Sequence, residues 1–156
     1  MLTEDDWPIW RELRLAALAD APYAFSSPLA DWQGAPAERW RSRLALPGAY
    51  NMVAVLDGVP VGMATGVPGD RADVVELISM WVSPAARGRG VGDRLMVELL
   101  RWAAERDARE VRLAVMPDNP AAIGLYRRHG FEPTGELGDP LPDGRGHELV
   151  MARQMR

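Results

Sequence analysis

The stretch Val82-Ser-Pro-Ala-Ala-Arg87-Gly88-Arg89-Gly90-Val91-Gly92-Asp93 follows the largely apolar run Glu76–Val82. It precedes a helical pattern that carries Val91, Leu95, Leu99, Trp102 and Ala103 on one face. A strand signal, a glycine-rich turn and an amphipathic helix in immediate succession define a strand–loop–helix unit. Glycine lets such a loop turn tightly and brings its backbone close to a ligand. The helix that begins straight afterwards offers unpaired N–H groups and the positive end of its dipole. A unit of this kind suits a phosphate or pyrophosphate.

Around this unit the chain reads as alternating elements. Apolar residues at helical spacing, Trp7, Trp10, Leu13, Ala17 and Leu18, predict a helix from Thr3 to about Ala19, with Asp5 as N-cap and Pro8 in the first turn. A shorter helix is expected over Pro36–Leu46. Strands Tyr50–Leu56 and Val59–Val67 flank Asp57-Gly58, a two-residue hairpin signal, and a third strand covers Asp73–Val82. After the helix that starts near Gly90 come a strand at Glu110–Val115 and a helix opened by Asn119-Pro120 and closed by His129-Gly130. Strands at Phe131–Thr134 and His147–Arg153, joined by a loop over Gly138–Gly146, complete the series. The order predicts one α/β (α+β) domain over 1–156, a mixed and mostly antiparallel sheet flanked by helices.

Composition removes several chemistries. The chain has no cysteine, which excludes a thiolate metal site and a cysteine nucleophile; its histidines are His129 and His147 alone, so no metal site is expected. The 18 basic residues are all arginine, so neither a P-loop lysine nor a Schiff-base lysine exists. A net charge of −4 argues against nucleic acid as the main partner. No apolar run approaches the roughly 20 residues of a membrane span, and the acidic start Met1–Asp6 lacks the pattern of a signal peptide. A cytoplasmic location follows as the expectation.

The loop itself allows more than one account. A Walker A site fails for want of lysine, and the pattern is G-x-G-x-G where a dinucleotide fingerprint needs G-x-G-x-x-G. A plain solvent loop explains glycine and arginine as well as a ligand site does. Three segments in register favour a ligand: Glu76-Leu-Ile-Ser-Met-Trp-Val82, Pro84-Ala-Ala-Arg87-Gly-Arg-Gly90-Val-Gly92 and Asn119-Pro-Ala-Ala-Ile-Gly-Leu-Tyr126-Arg-Arg-His-Gly130-Phe131. In their order and spacing they resemble the GNAT superfamily of acetyl-CoA-dependent N-acetyltransferases, a likeness strongest from about Tyr50 to Phe131.

The resemblance implies acetyl-CoA as acyl donor and assigns expected roles. The strand ending at Met80-Trp81-Val82 would splay from its neighbour and pair with the pantetheine arm. Arg87, Gly88, Arg89, Gly90, Val91 and Gly92 would present N–H groups to the pyrophosphate, and Asn119 and Ala122 would sit beside the pantetheine. Asn119 also has an N-cap role, and the two are compatible. Amide formation needs an uncharged amine, and an alkyl ammonium has a pKa near 10, so its proton must be removed or relayed near neutral pH. Glu76 is the expected general base, directly or through water, with a solvated strand carboxylate as its plainer reading. Tyr126 is the expected acid to the leaving thiolate, set against a merely packed ring. The Val82 N–H is the candidate for polarising the thioester carbonyl.

Arg127 and Arg128 either approach the phosphates or form a solvated helix face; His129 reads as a helix-end residue and His147 as structural. Tyr23 and Phe25, in the break after the first helix, are candidates for acceptor contacts, with core packing the alternative. The expected acceptor is a small-molecule primary amine. A protein N-terminus or lysine, and a non-catalytic acyl-CoA sensor, are the competing readings, and a homodimer is left open. The family's opening strand is either very short or missing, since only Met1-Leu2 precedes the first helix.

Overall fold

Thr3 starts the first helical segment, two residues before the expected Asp5. Its N–H donates to Asp6 Oδ2 at 2.8 Å, and the resulting capping box closes a 3₁₀ turn, Glu4–Asp6, that runs into helix α1 (Trp7–Asp20). The computed structural model describes residues 2–20, 32–141 and 146–155. Helix α2 (Ala37–Leu44) follows, with Pro36 as its N-cap. Strands β1 (Tyr50–Leu56) and β2 (Val59–Pro68) flank Asp57-Gly58, both at positive φ as a type I′ turn requires. The remaining elements are β3 (Val74–Val82), α3 (Val91–Glu105), β4 (Glu110–Val115), α4 (Pro120–Arg128), β5 (Glu132–Pro140) and β6 (His147–Gln154).

The strands form one sheet in the order β1-β2-β3-β4-β6-β5, with β3–β4 parallel and the other pairs antiparallel. The last hairpin departs from expectation. Its first strand begins at Glu132 and continues past Thr134 to Pro140, taking in the start of the expected loop Gly138–Gly146. Nearly all its residues are exposed, so it carries no apolar alternation to read; pairing with β6 holds it. Before α1, Leu2 donates its N–H to the Asn51 carbonyl at 3.0 Å, and among the described residues this single bridge stands where the family's opening strand was expected.

Alternation along the strands feeds two cores. On one face Val75, Leu77, Val111, Leu113 and Met151 pack with Leu95, Met96 and Leu99 of α3 and Tyr126 of α4. On the other, Met63 and Trp81 meet Trp10, Leu13 and Ala17 of α1 and Trp40 and Leu44 of α2. Trp10, Trp40 and Trp102 are buried as their helical stripes predict, while Trp7 is half-buried.

Close approach of α3 to the sheet depends on a missing side chain. A Cβ at Gly66 of β2 would lie 2.3 Å from Cζ3 of Trp102. The Trp102 ring instead stacks on Tyr50, centroids 5.5 Å apart, and the Tyr50 hydroxyl donates to Glu98 Oε1 at 2.5 Å. Gly66→Ala should therefore overpack this contact and lower stability by about 1–3 kcal/mol, read as a lower denaturation midpoint with an unchanged slope.

Candidate active site

Pairing between β3 and β4 stops early. It comprises Val74–Glu110, Val75–Val111 and Glu76–Arg112. Beyond that point β4 stays with β6 as far as Val115, and β3 stays with β2 as far as Val82, so the two strands separate. A bulge accompanies the separation. Between the pairs Thr65–Ile78 and Met63–Trp81, one residue of β2 faces Ser79 and Met80 together, and Ser79 adopts φ 56°. Bulges bend and twist the strand that carries them. Between the separated strands lies a cleft of about 970 Å³, closed at its ends by the start of α3 and by α4.

The glycine loop forms one rim. Gly88 and Gly90 have φ of 77° and 81°, left-handed backbone that L side chains resist. Gly90 is the N-cap of α3 and brings no side-chain oxygen, so the first amides of the helix are left without a cap. The Arg94 N–H is the first to bond back, to the Gly90 carbonyl at 3.1 Å. Val91, Gly92 and Asp93 all line the cleft. Asp93 would repel an anion there, but it accepts from His129 Nε2 at 2.8 Å and pairs with Arg128 at 3.3 Å. Those contacts, His129 first, hold its carboxyl below the usual carboxylate range. His129 thus acts at the helix end, as expected, and His147 opens β6 on the surface.

Arg87 braces the loop. Its Nε donates to the Val82 carbonyl at 3.0 Å and its Nη2 to Asp20 Oδ2 at 2.7 Å. The same carboxylate oxygen accepts from Trp81 Nε1 at 3.1 Å. The Trp81 hydrogen bond and then the Arg87 contact push the Asp20 carboxyl below its ordinary value. Asp20 is not among the residues that the motifs single out. Its one signal is an acidic residue at a helix C-terminus, where the dipole disfavours it.

Tyr126 forms part of the opposite wall. It is 6% exposed, its ring lies 6.1 Å from that of Phe131, and among the described residues its hydroxyl has no hydrogen-bond partner. Burial pushes the phenol pKa far up, so it stays protonated. Asn119 caps α4 by accepting from the Ala122 N–H at 3.2 Å, and both residues face the cleft.

The cleft therefore gathers Met80, Trp81, Val82, Arg87, Gly88, Gly90, Val91, Gly92, Asn119, Ala122 and Tyr126. Arg89 is exposed and does not line it. Neither does Glu76, the last β3 residue paired with β4. Glu76 is half-buried; burial and then the Asp70 charge raise its carboxyl pKa against the opposing pull of Arg112. Tyr23 and Phe25 lie outside the described residues.

A family model for the Acetyltransferase (GNAT) family matches residues 7–131. The chain belongs to the GNAT acetyltransferase family. This GNAT domain is 36% identical over 93 residues to the L-2,4-diaminobutyric acid acetyltransferase of Nocardia farcinica, a match covering 56% of the chain and 48% of that protein. The chain spans less than half the length of the curated relatives it first matches. Among solved structures it is similar to a GCN5-related N-acetyltransferase from Kribbella flavida, at 28% identity and a TM-score of 0.78 over 99% of this chain and 95% of that one. It also shares its fold with a Salmonella typhimurium protein solved with its cofactor acetyl-CoA, at 23% identity and a TM-score of 0.76, covering 99% of this chain and 91% of that one.

The Asp20–Arg87 ion pair gives a pH-dependent expectation. A depressed folded-state pKa adds stability above the unfolded value of about 3.9, and that stability is lost as pH falls through the folded value. Wild type should exceed Asp20→Asn by no more than about 1 kcal/mol near neutrality, because the pair is partly exposed. The gap should close below about pH 4 in denaturation curves of the two proteins.

Proposed function

We propose that this GNAT domain moves the acetyl group of acetyl-CoA directly to the primary amine of a small molecule. The observation that carries the reading is the cleft between the separated strands, with uncapped helix amides at its rim and a protonated Tyr126, unpartnered among the described residues, in its wall. The residues present fit the donor part by part. The amides at the start of α3 suit a diphosphate. The β3 edge from Met80 to Val82, free of β4, suits an extended arm that bonds strand-wise. The donor, when bound, supplies an acyl group already activated as a thioester.

The chain's own groups then divide the work. The Val82 N–H polarises the acyl carbonyl. Tyr126 gives its proton to the departing thiolate, for which a neutral phenol is required. Glu76 accepts the proton of the amine through water. It sits at the last β3–β4 pair, four residues before Met80, a separation that a water relay suits. Attack is direct because no cysteine exists to carry an acyl group. The small-amine acceptor draws on the likeness to the diaminobutyrate enzyme.

Calorimetry with acetyl-CoA, followed by a thiol-release assay across diamines, amino acids, aminoglycosides and a basic peptide, tests the proposal. Amine-dependent release with the small acceptors is expected. Binding without release would point to an acyl-CoA sensor, and release with the peptide alone to a protein acetyltransferase.

Tyr126→Phe should lower kcat by about 100-fold or more and leave the acetyl-CoA Kd nearly unchanged, the signature of a group used in the transition state. The carboxylate form of Glu76 is the base, so kcat/KM should rise with pH through a pKa above the ordinary glutamate value. Glu76→Gln should abolish that acid limb; a limb that persists removes Glu76 from the role.

A further inference from the structure

Arg43 of α2 lies half-buried against β1, β2 and β3. Its Nη1 donates to Asn51 Oδ1 at 3.1 Å, and its Nη2 donates to Thr65 Oγ1 and to Ser79 Oγ, each at 3.1 Å. Thr65 in turn donates to Asn51 Oδ1 at 2.9 Å, and the Asn51 amide donates to the Leu44 carbonyl at 3.1 Å. The guanidinium also lies 5.0 Å over the Trp10 ring. Every polar partner is neutral. Burial first, and then the charge of Arg14, lower the Arg43 pKa to about 10. Among the described residues no carboxylate pairs with it, and a cation drawn partly out of water without one is costly to keep. Packing alone would be served at lower cost by an apolar side chain.

The third of these hydrogen bonds ends on a position that needs holding. Ser79 is the first residue of the β3 bulge and has left-handed backbone, φ 56°. Glycine is the residue that such a bulge position favours, and a non-glycine residue there costs of order 1–3 kcal/mol. The bulge turns the strand immediately before Met80, Trp81 and Val82, the segment that lines the cleft. On the basis of the acetyl-transfer reading above, we infer that Arg43 is a positioning residue for that reaction. It tethers Ser79, fixes the bulge and thereby aims the Val82 amide at the acyl carbonyl.

The test rests on Ser79, where small changes spare the fold. Ser79→Ala removes the tether and keeps the strained backbone; Ser79→Gly removes the tether and the strain together. Three readouts apply: amide hydrogen exchange at Met80–Val82 without ligand, the ratio of acetyl-CoA to coenzyme A affinity by calorimetry, and kcat. Ser79→Ala should speed exchange at these amides. It should also reduce both the affinity ratio and kcat by about 5–10-fold, the worth of one well-aimed hydrogen bond. Ser79→Gly should lose less on all three. Adding it to Arg43→Met should recover part of what Arg43→Met loses, whereas adding Ser79→Ala should not.

Equal behaviour of the alanine and glycine variants overturns the inference. So does an unchanged affinity ratio with a lowered melting temperature, the mark of a purely structural arginine. If Arg43→Met does not fold, the two Ser79 variants decide alone. A wild-type protein that binds neither acetyl-CoA nor coenzyme A overturns the functional reading itself, a failure visible before any variant is made.

Discussion

Separation of two parallel strands organises this molecule. Backbone donors and acceptors inside a protein must find partners, so a sheet opens only where something else fills the gap or solvent reaches it. Here β4 is held open by its pairing with β6, and β3 by pairing with β2 and by side chains anchored in both cores. Leu77 reaches into the core under α3, and Trp81 into the one under α1 and α2. Neither strand can swing across to close the ladder without pulling a large side chain out of its core. The cleft is thus a property of the scaffold, and the glycine loop needs only to line its rim.

Charge is arranged to suit an anion at that rim on a chain whose net charge is −4. Asp93 favours the α3 dipole but would oppose a phosphate; Arg128 of α4 offsets its charge, and the neighbouring His129 ring is hydrogen-bonded to it. Asp20 plays the converse part, taking up the Arg87 guanidinium and joining it to Trp81.

Much of this was legible in the residues, and the failures share a cause. Asp57-Gly58 announced its hairpin, Asn119-Pro120 its helix start and the glycine loop its rim because those residue types have few other uses. The matching segments around Glu76, Arg87 and Tyr126 identified the family before any coordinates. Ser79 gave no warning, since serine is an ordinary strand or turn residue and its φ is imposed by tertiary contacts. Arg43 falls in a run with Arg39 and Arg41 that looks like a solvated helix face; only the packing of α2 separates the half-buried member from the two exposed ones. Thr3 capped the first helix because a 3₁₀ turn precedes it. The point where β3 and β4 part, just past Glu76, is likewise something that a linear motif does not encode.

Burial of Tyr126 carries one last consequence. Burial makes this phenol hold its proton more tightly than a free one does. With the acid role proposed for it, the protein's own donor would not run short as the solution becomes basic. The upper edge of the working range would then be set by the acceptor's chemistry and by the endurance of the fold.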